Sequence, residues 1–317
     1  MLGELFLHML TIRIIRAGRE GYYLTPESDD LPYLLGSGAD LLGLSSESLH
    51  WTDDRLKLLL QGIDPTTHHY LRNRSPSIRR GVDGKTGKEK LYKPVVGYDL
   101  VANAPKDVSI LALVMNQPRA VELHEVAVER TLTELDPYCL ASGTKSPLFP
   151  IILVQSHITN RSLEPHLHSH CLILNTGLLT RESGRSLDGR TLFKASLPLG
   201  KSYRTHLRSL IESELRLHTF SIPLRKGGEA FGIRGIPDEL RASLSTRSDG
   251  IRSYVKETKK KTGKTPSGTA IRVMALKTRS PKQHEIDREL VERYWREQVG
   301  ELTLERLQQQ EPERARG

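Results

Sequence analysis

Residues 150–175 read PIILVQSHITNRSLEPHLHSHCLILN, two apolar runs around a polar middle. The runs at 150–158 (PIILVQSHI) and 168–175 (HSHCLILN) are strand-like, and the polar stretch from Thr159 to Leu167 joins them. Residues two apart in a strand share a face, so His168 and His170 project side by side. If the first run pairs antiparallel with the second and sets His157 opposite either of them, three imidazoles converge on one side. Neutral imidazole is a good ligand for a divalent metal, and three His with positions left open describe a catalytic rather than a closed structural site. The face His168, His170, Leu172, Leu174 puts that site at a strand end, where a ligand can enter. His166 is in phase with this face, but Pro165 before it predicts that the strand has barely begun. His166 is therefore expected as a neighbour of the site.

Working outward, residues 95–102 read as a strand ending at Asn103-Ala104-Pro105, where a helix begins because Pro is preorganised for the first turn. Residues 119–135 repeat apolar side chains at helical spacing (Leu123, Ala127, Val128, Leu132, Leu135), and residues 201–218 do so at Tyr203, Leu207, Leu210, Ile211 and Leu215. Near the N-terminus, 10–16 (LTIRIIR) is an alternating strand that runs into a Gly-bearing turn and the pair Tyr22-Tyr23. Thr52-Asp53 caps a short helix carrying Leu56, Leu59 and Leu60. Residues 72–94 are basic and loop-like. Ser253 to Ser267 is a mobile basic segment, a last helix covers 282–299, and the tail from Gln308 lacks large apolar residues. Strands and helices mix without a regular βαβ rhythm, so the expected class is α+β with an antiparallel sheet.

The whole chain is 317 residues with 47 Lys and Arg against 38 Asp and Glu, a formal net charge of +9. That favours an acidic partner such as nucleic acid. Cys139 and Cys171 are the only cysteines, too few for a disulfide scaffold and suited to a reducing compartment. No apolar run reaches the roughly 20 residues of a membrane span, and the opening MLGELFLHMLTIRII lacks the basic and small-residue marks of a signal peptide. Membrane insertion is not expected, and a cytoplasmic location is.

A metal and a basic surface suggest phosphodiester chemistry, and transfer without water needs a protein nucleophile. No Ser or Cys nucleophile signature is present. A phenol of the pair Tyr22-Tyr23 is weak at its free pKa near 10, so it needs a base or a metal that holds the phosphate. Asp99, a carboxylate in an otherwise apolar strand, is a candidate to accept the phenolic proton or to orient a ligand His.

These blocks resemble the TraI/TrwC-type conjugative relaxases, the MobF class of the HUH endonuclease superfamily. Met9–Tyr23 (MLTIRIIRAGREGYY) looks like the family's N-terminus, Gly36–Leu44 (GSGADLLGL) like its next block, and Gly97–Val114 (GYDLVANAPKDVSILALV) like its aspartate block. His157 with Pro165–Asn175 (PHLHSHCLILN) looks like its metal block, while Phe231–Thr246 and Ala275–Lys282 (ALKTRSPK) resemble later ones. The similarity runs from Met9 to about Val299.

The resemblance implies a central antiparallel sheet carrying a three-His metal site, flanking helices, and a C-terminal helical region that closes over DNA. It implies His157, His168 and His170 as ligands of one divalent ion (Mg or Mn, with Zn or Ni also accepted), Tyr22 as nucleophile beside Tyr23, and Asp99 as base or orienting group. The implied reaction is nicking of single-stranded origin-of-transfer DNA through a 5′-phosphotyrosyl intermediate, then rejoining or transfer of the strand. Residues 1–250 would be the catalytic core, 251–300 the closing segment and 301–317 a disordered tail. Arg79, Arg80, Lys106, Lys259, Lys260, Arg279 and Lys282 are expected DNA contacts. Two departures stand out. Only Tyr33 lies between Pro26 and Leu35, where relatives often carry a second Tyr pair, and the chain contains no Gly-x-x-x-x-Gly-Lys-Ser/Thr phosphate loop. Either the sequence is a fragment of a longer protein or a separate helicase supplies unwinding, with accessory relaxosome proteins as further partners. A rolling-circle replication initiator, a non-catalytic DNA-binding protein on the same fold and a hydrolytic metallonuclease are the alternatives.

Overall fold

The two apolar runs around the histidines pair with each other in the middle of a five-stranded sheet. The structure is a computed structural model; it describes residues 10–24, 32–45, 54–72, 77–84, 86–160, 162–224, 228–245, 253, 256–263, 288–297, 299–300 and 302–310, without the side chains of Tyr22, Leu24 and Arg288. The sheet contains β1 (Leu10–Arg16), β2 (Tyr33–Leu35), β5 (Val95–Asn103), β6 (Ile152–Thr159) and β7 (Pro165–Leu174) in the order β1-β5-β7-β6-β2. Every neighbouring pair is antiparallel. The expected α+β class with a central antiparallel sheet is therefore what the chain adopts. β7 is the middle strand, which is why 171–174 (Cys-Leu-Ile-Leu) is apolar on both faces.

The helices follow in chain order: α1 (Ser37–Leu42), α2 (Asp54–Gln61), α3 (Lys106–Ser109), α4 (Pro118–Leu132), α5 (Gly189–Lys194), α6 (Ser196–Leu215), α7 (Asp238–Ser243), α8 (Arg288–Glu297) and α9 (Leu304–Gln308). α3 continues as a π-helical turn, Ile110–Val114. The apolar stripes of α4 (Leu123, Ala127, Val128) and α6 (Tyr203, Leu207, Ile211) cover one face of the sheet, packing on Leu100, Val154, Cys171 and Ile173. A second, smaller core covers part of the other face. There Leu153, Leu172 and Leu174 meet Leu34, Ala39, Leu42 and the α2 residues Leu56, Leu59 and Leu60. α1 approaches the chain at 149–150 so closely that a Cβ on Gly38 would lie 2.5 Å from the Phe149 carbonyl oxygen, which explains that glycine in 36–44.

Several expectations are corrected. β7 starts at Pro165, three residues before the strand-like run, so His166 lies inside the strand; Pro is tolerated there as the first residue, opposite Thr159. Residues 79–92 are a hairpin, β3 (Arg79–Val82) with β4 (Glu89–Tyr92), where a loop was expected. Its strands carry no alternating pattern because neither is buried on either face, and its turn is held by Asp83, whose carboxylate accepts from the Thr86 N–H, with Gly87 at φ 67°. Residues 256–262 are helical, not irregular. The last long helix begins at Arg288, and 282–287 lie outside the described residues. Leu302–Gln310, expected within a disordered tail, are ordered. Thr303 caps α9, Leu307 is 1% exposed, and Gln308 donates to the Leu215 carbonyl. The expected cap Thr52-Asp53 lies outside the described residues.

Candidate active site

The β6–β7 register sets His157 directly opposite His168, and alternation brings His170 onto the same face. The ring centroids form a near-equilateral triangle: 5.3 Å between His157 and His168, 5.2 Å between His157 and His170, and 5.3 Å between His168 and His170. An imidazole nitrogen about 2.1 Å from an ion puts its ring centre about 3.2 Å away, and a roughly tetrahedral angle then separates two centroids by about 5.3 Å. The spacing therefore suits one ion shared by three rings. Among the described residues no group of three His, Cys, Asp or Glu side chains stands arranged to hold a metal ion as placed. The rings are spaced for an ion without being locked into a finished shell.

The outward nitrogens are what decide the donor set. His168 Nδ1 lies 2.8 Å from the His166 carbonyl oxygen, which can only accept, so Nδ1 carries the proton and Nε2 keeps its lone pair. His170 Nδ1 likewise donates to Asp99 Oδ1 at 2.9 Å. Burial, and then the adjoining rings of His166, His170 and His157, push the His168 imidazole well below its ordinary pKa, so it is neutral at pH 7, the form that ligates. His157 is 5% exposed and His170 6%.

Asp99 faces His170 because β5 lies beside β7. Its side chain is 2% exposed, and its second oxygen accepts from Arg13 Nη2 at 2.8 Å. Arg13 stands opposite Asp99 in the β1–β5 register. One oxygen accepts from His170 and the other from Arg13, so both oxygens of the buried carboxylate are already engaged by donors. His166 borders the site: its ring is 4.7 Å from that of His168, and its Nε2 is 3.1 Å from Asn103 Oδ1.

Both tyrosines lie in the 3-10 turn Glu20–Leu24 that follows β1. The Tyr23 ring is 3% exposed, belongs to the smaller core, and meets His170 edge-on at 6.1 Å. The turn is thereby anchored beside the histidine triangle. The ring of Tyr22 lies outside the described side chains.

Sequence reasoning missed the polar chain behind the triangle. His124 on α4 is fully buried; its Nδ1 is 2.7 Å from the Tyr203 hydroxyl and its Nε2 is 2.8 Å from Ser169 Oγ, which is 3.0 Å from Ser156 Oγ. Ser169 falls between His168 and His170 on β7, and Ser156 falls between Gln155 and His157 on β6, so a serine next to a histidine on each strand was the available signal. Burial pushes His124 down to about 3, so it works as a neutral hydrogen-bonding group. Arg13 was also missed; nothing in its local sequence marks it. At the mouth, Asn160 closes the β6–β7 turn by accepting from Ser162 N and Glu164 N. Trp295 on α8, 1% exposed, donates from Nε1 to the Leu163 carbonyl at 3.0 Å and ties the C-terminal region to that turn.

The expected DNA contacts are dispersed. Arg79 and Arg80 are exposed on β3, in a ribbon that also presents Lys90, Val82, Leu91 and Tyr92. Lys106 is half-buried beside the site; its ammonium donates to the Pro165 carbonyl at 2.9 Å, and burial pushes it down to about 8 against the opposing pull of Glu164. Lys259 and Lys260 are exposed on the helical turn 256–262. Arg279 and Lys282 lie outside the described residues. No helix among the described residues is long and apolar enough to cross a membrane.

A family model described as TrwC relaxase matches residues 13–302. The multifunctional conjugation protein TraI of Escherichia coli is 28% identical over 320 residues, which cover 92% of this chain and 16% of TraI; TraI of strain K12 matches to the same extent. The chain thus spans about 16% of the length of the curated relatives it matches. Structures of the conjugative relaxase TrwC in complex with oriT DNA, one metal-free and one metal-bound, superpose with a TM-score of 0.73 at 24% identity, covering 92% of this chain and 98% of theirs. A TrwC complex with a 27-mer comprising the recognition hairpin and the cleavage site superposes with a TM-score of 0.72 at 23% identity. These likenesses establish the fold.

Proposed function

The chain belongs to the TrwC relaxase family, and from that premise we propose that it nicks single-stranded origin-of-transfer DNA by tyrosine transesterification and rejoins or transfers the strand. The observation that carries this reading is the triangle of His157, His168 and His170, with the Nδ1 protons of two of its rings committed outward and their Nε2 lone pairs kept for an ion. These residues would hold one divalent metal, Mg or Mn, with Zn or Ni also accepted by the ligand set. When bound, the metal polarises the scissile phosphate and offsets charge that develops on it.

The chain's own residues supply the rest. Asp99 keeps the proton of His170 on Nδ1, and Arg13 holds Asp99 in place. Tyr22, on the turn anchored by Tyr23, is the nucleophile: its phenolic oxygen bonds phosphorus and its proton leaves to solvent, while the bond to the 3′-oxygen breaks and that oxygen takes a proton from solvent. The products are a 5′-phosphotyrosyl protein and a free 3′-hydroxyl. The ester keeps the bond energy, so rejoining needs no nucleotide. Arg79 and Arg80 sit on a two-stranded ribbon of the kind that enters a DNA groove, and Lys259 and Lys260 would follow the backbone, with Arg279 and Lys282. Lys106, half-buried, would serve the strand entering beside β7. The C-terminal region, tied on through Trp295, would close over that strand. The protein would act in the cytoplasm, together with accessory relaxosome proteins and an unwinding activity.

The test is a denaturing gel of labelled single-stranded oligonucleotides from the cognate origin with Mg or Mn, run on wild type, Tyr22→Phe and Tyr23→Phe. The expected result is an adduct that survives denaturant, vanishes in Tyr22→Phe and disappears with chelator. Cleavage without an adduct, equal in both variants, would make water the nucleophile. An adduct formed on a replication origin but not on a transfer origin would make the chain an initiator.

A further inference from the structure

One polar side chain on the histidine face has no role in the account above. Gln155 lies on β6 two residues before His157, so both point to the same side of the sheet, and the β6–β7 register sets it directly opposite His170. It is 3% exposed, and its Oε1 is buried and accepts no hydrogen bond among the described residues. A buried amide oxygen is almost always paired, so one left open beside three imidazoles points to a partner that binds there. A phosphodiester cannot be that partner, because its bridging and free oxygens only accept. A cation can.

We propose that the carboxamide oxygen of Gln155 is a fourth donor of the metal site, adding a hard, neutral oxygen to His157, His168 and His170. The inference rests on the metal reading of the triangle. Its chemical consequence is selectivity: an oxygen donor favours Mg and Mn, whereas three imidazoles alone favour Ni, Cu and Zn. Gln155 would thereby help set which ion the protein carries into the reaction. Its position one cross-strand step from His170 also puts it on the side of the triangle where Tyr23 packs.

The experiment is calorimetric titration of the full chain, stripped of metal, with MnCl2 and separately with NiCl2. Wild type, Gln155→Met, Gln155→Glu and His168→Ala are compared, and each metal-free protein is melted. Gln155→Met should bind Mn about tenfold more weakly, while its Ni affinity moves by no more than about threefold. Gln155→Glu, which keeps the oxygen and adds charge, should bind Mn at least as tightly as wild type. Metal-free Gln155→Met should melt no lower than wild type, because an unpaired buried oxygen has been removed. Wild-type Mn affinity in Gln155→Met, with binding abolished in His168→Ala, would overturn the role of Gln155 and leave the histidine site standing. Wild type and His168→Ala alike in binding neither metal would overturn both. If Gln155→Met melts early, Gln155→Glu decides: Mn affinity well below wild type refutes the proposal.

Discussion

Acid should unfold this protein through His124, and the size of the effect follows from its burial. The ring is fully buried between Tyr203 and Ser169 and is pushed down to about 3, first by burial and then by the charge of His166. In the unfolded chain an ordinary histidine takes up its proton near pH 6.5. Below that pH the unfolded state binds a proton that the folded state refuses, so stability is full above the unfolded value and falls as pH drops toward the folded one. The slope is about 1.4 kcal/mol per pH unit, and the loss between pH 6.5 and about pH 4.5 is about 2 kcal/mol from this one residue. The comparison is between wild type and His124→Gln, which keeps a donor and an acceptor but cannot titrate. Urea unfolding with chelator present, at half-unit steps across that window, reads the slope directly. His168, also pushed down, contributes equally to both proteins and cancels. His124→Gln should be less stable at pH 7 but should lose about 2 kcal/mol less on acidification. Parallel curves for the two proteins would mean that His124 is not held neutral, and the polar chain behind the ligand strands would need another explanation.

Two further outcomes are expected. Asp99→Asn removes the charge that orients His170 and balances Arg13, and should weaken divalent-metal binding by about 10- to 100-fold in a calorimetric titration; unchanged affinity would place Asp99 outside the site's support. Trp295→Ala deletes a side chain that is 1% exposed together with its bond to the Leu163 carbonyl, and should cost about 3 kcal/mol in urea unfolding while opening α8 to limited proteolysis. Equal stability and an equal digestion pattern would show that the C-terminal region is held elsewhere.

Local pattern carried much of this protein. Once the runs around them are strands, His168 and His170 share a face because alternation along a strand is a property of the backbone itself, and those short apolar runs read as strand-like. The amphipathic stripes of α4 and α6, and the strand at Leu10–Arg16, follow from side-chain spacing in the same way. The hairpin at 79–92 and the order of 302–310 were illegible for the converse reason. The hairpin's strands are exposed on both sides and leave no hydrophobic period to read, and α9 is held by one buried Leu and a hydrogen bond to a helix about ninety residues earlier in the chain. Only tertiary structure could choose which partner His157 meets. The register across β6 and β7 is set by the turn that Asn160 closes and by packing on both faces, and a one-residue slip would have turned His157 toward α4. The same register, with β5 inserted beside β7 across more than fifty residues of intervening chain, brought Asp99 and then Arg13 to His170, and left Gln155 on the face of the three histidines with its oxygen unspent. Sequence names donors by type and phase; the pairing of distant strands decides which of them share a point in space.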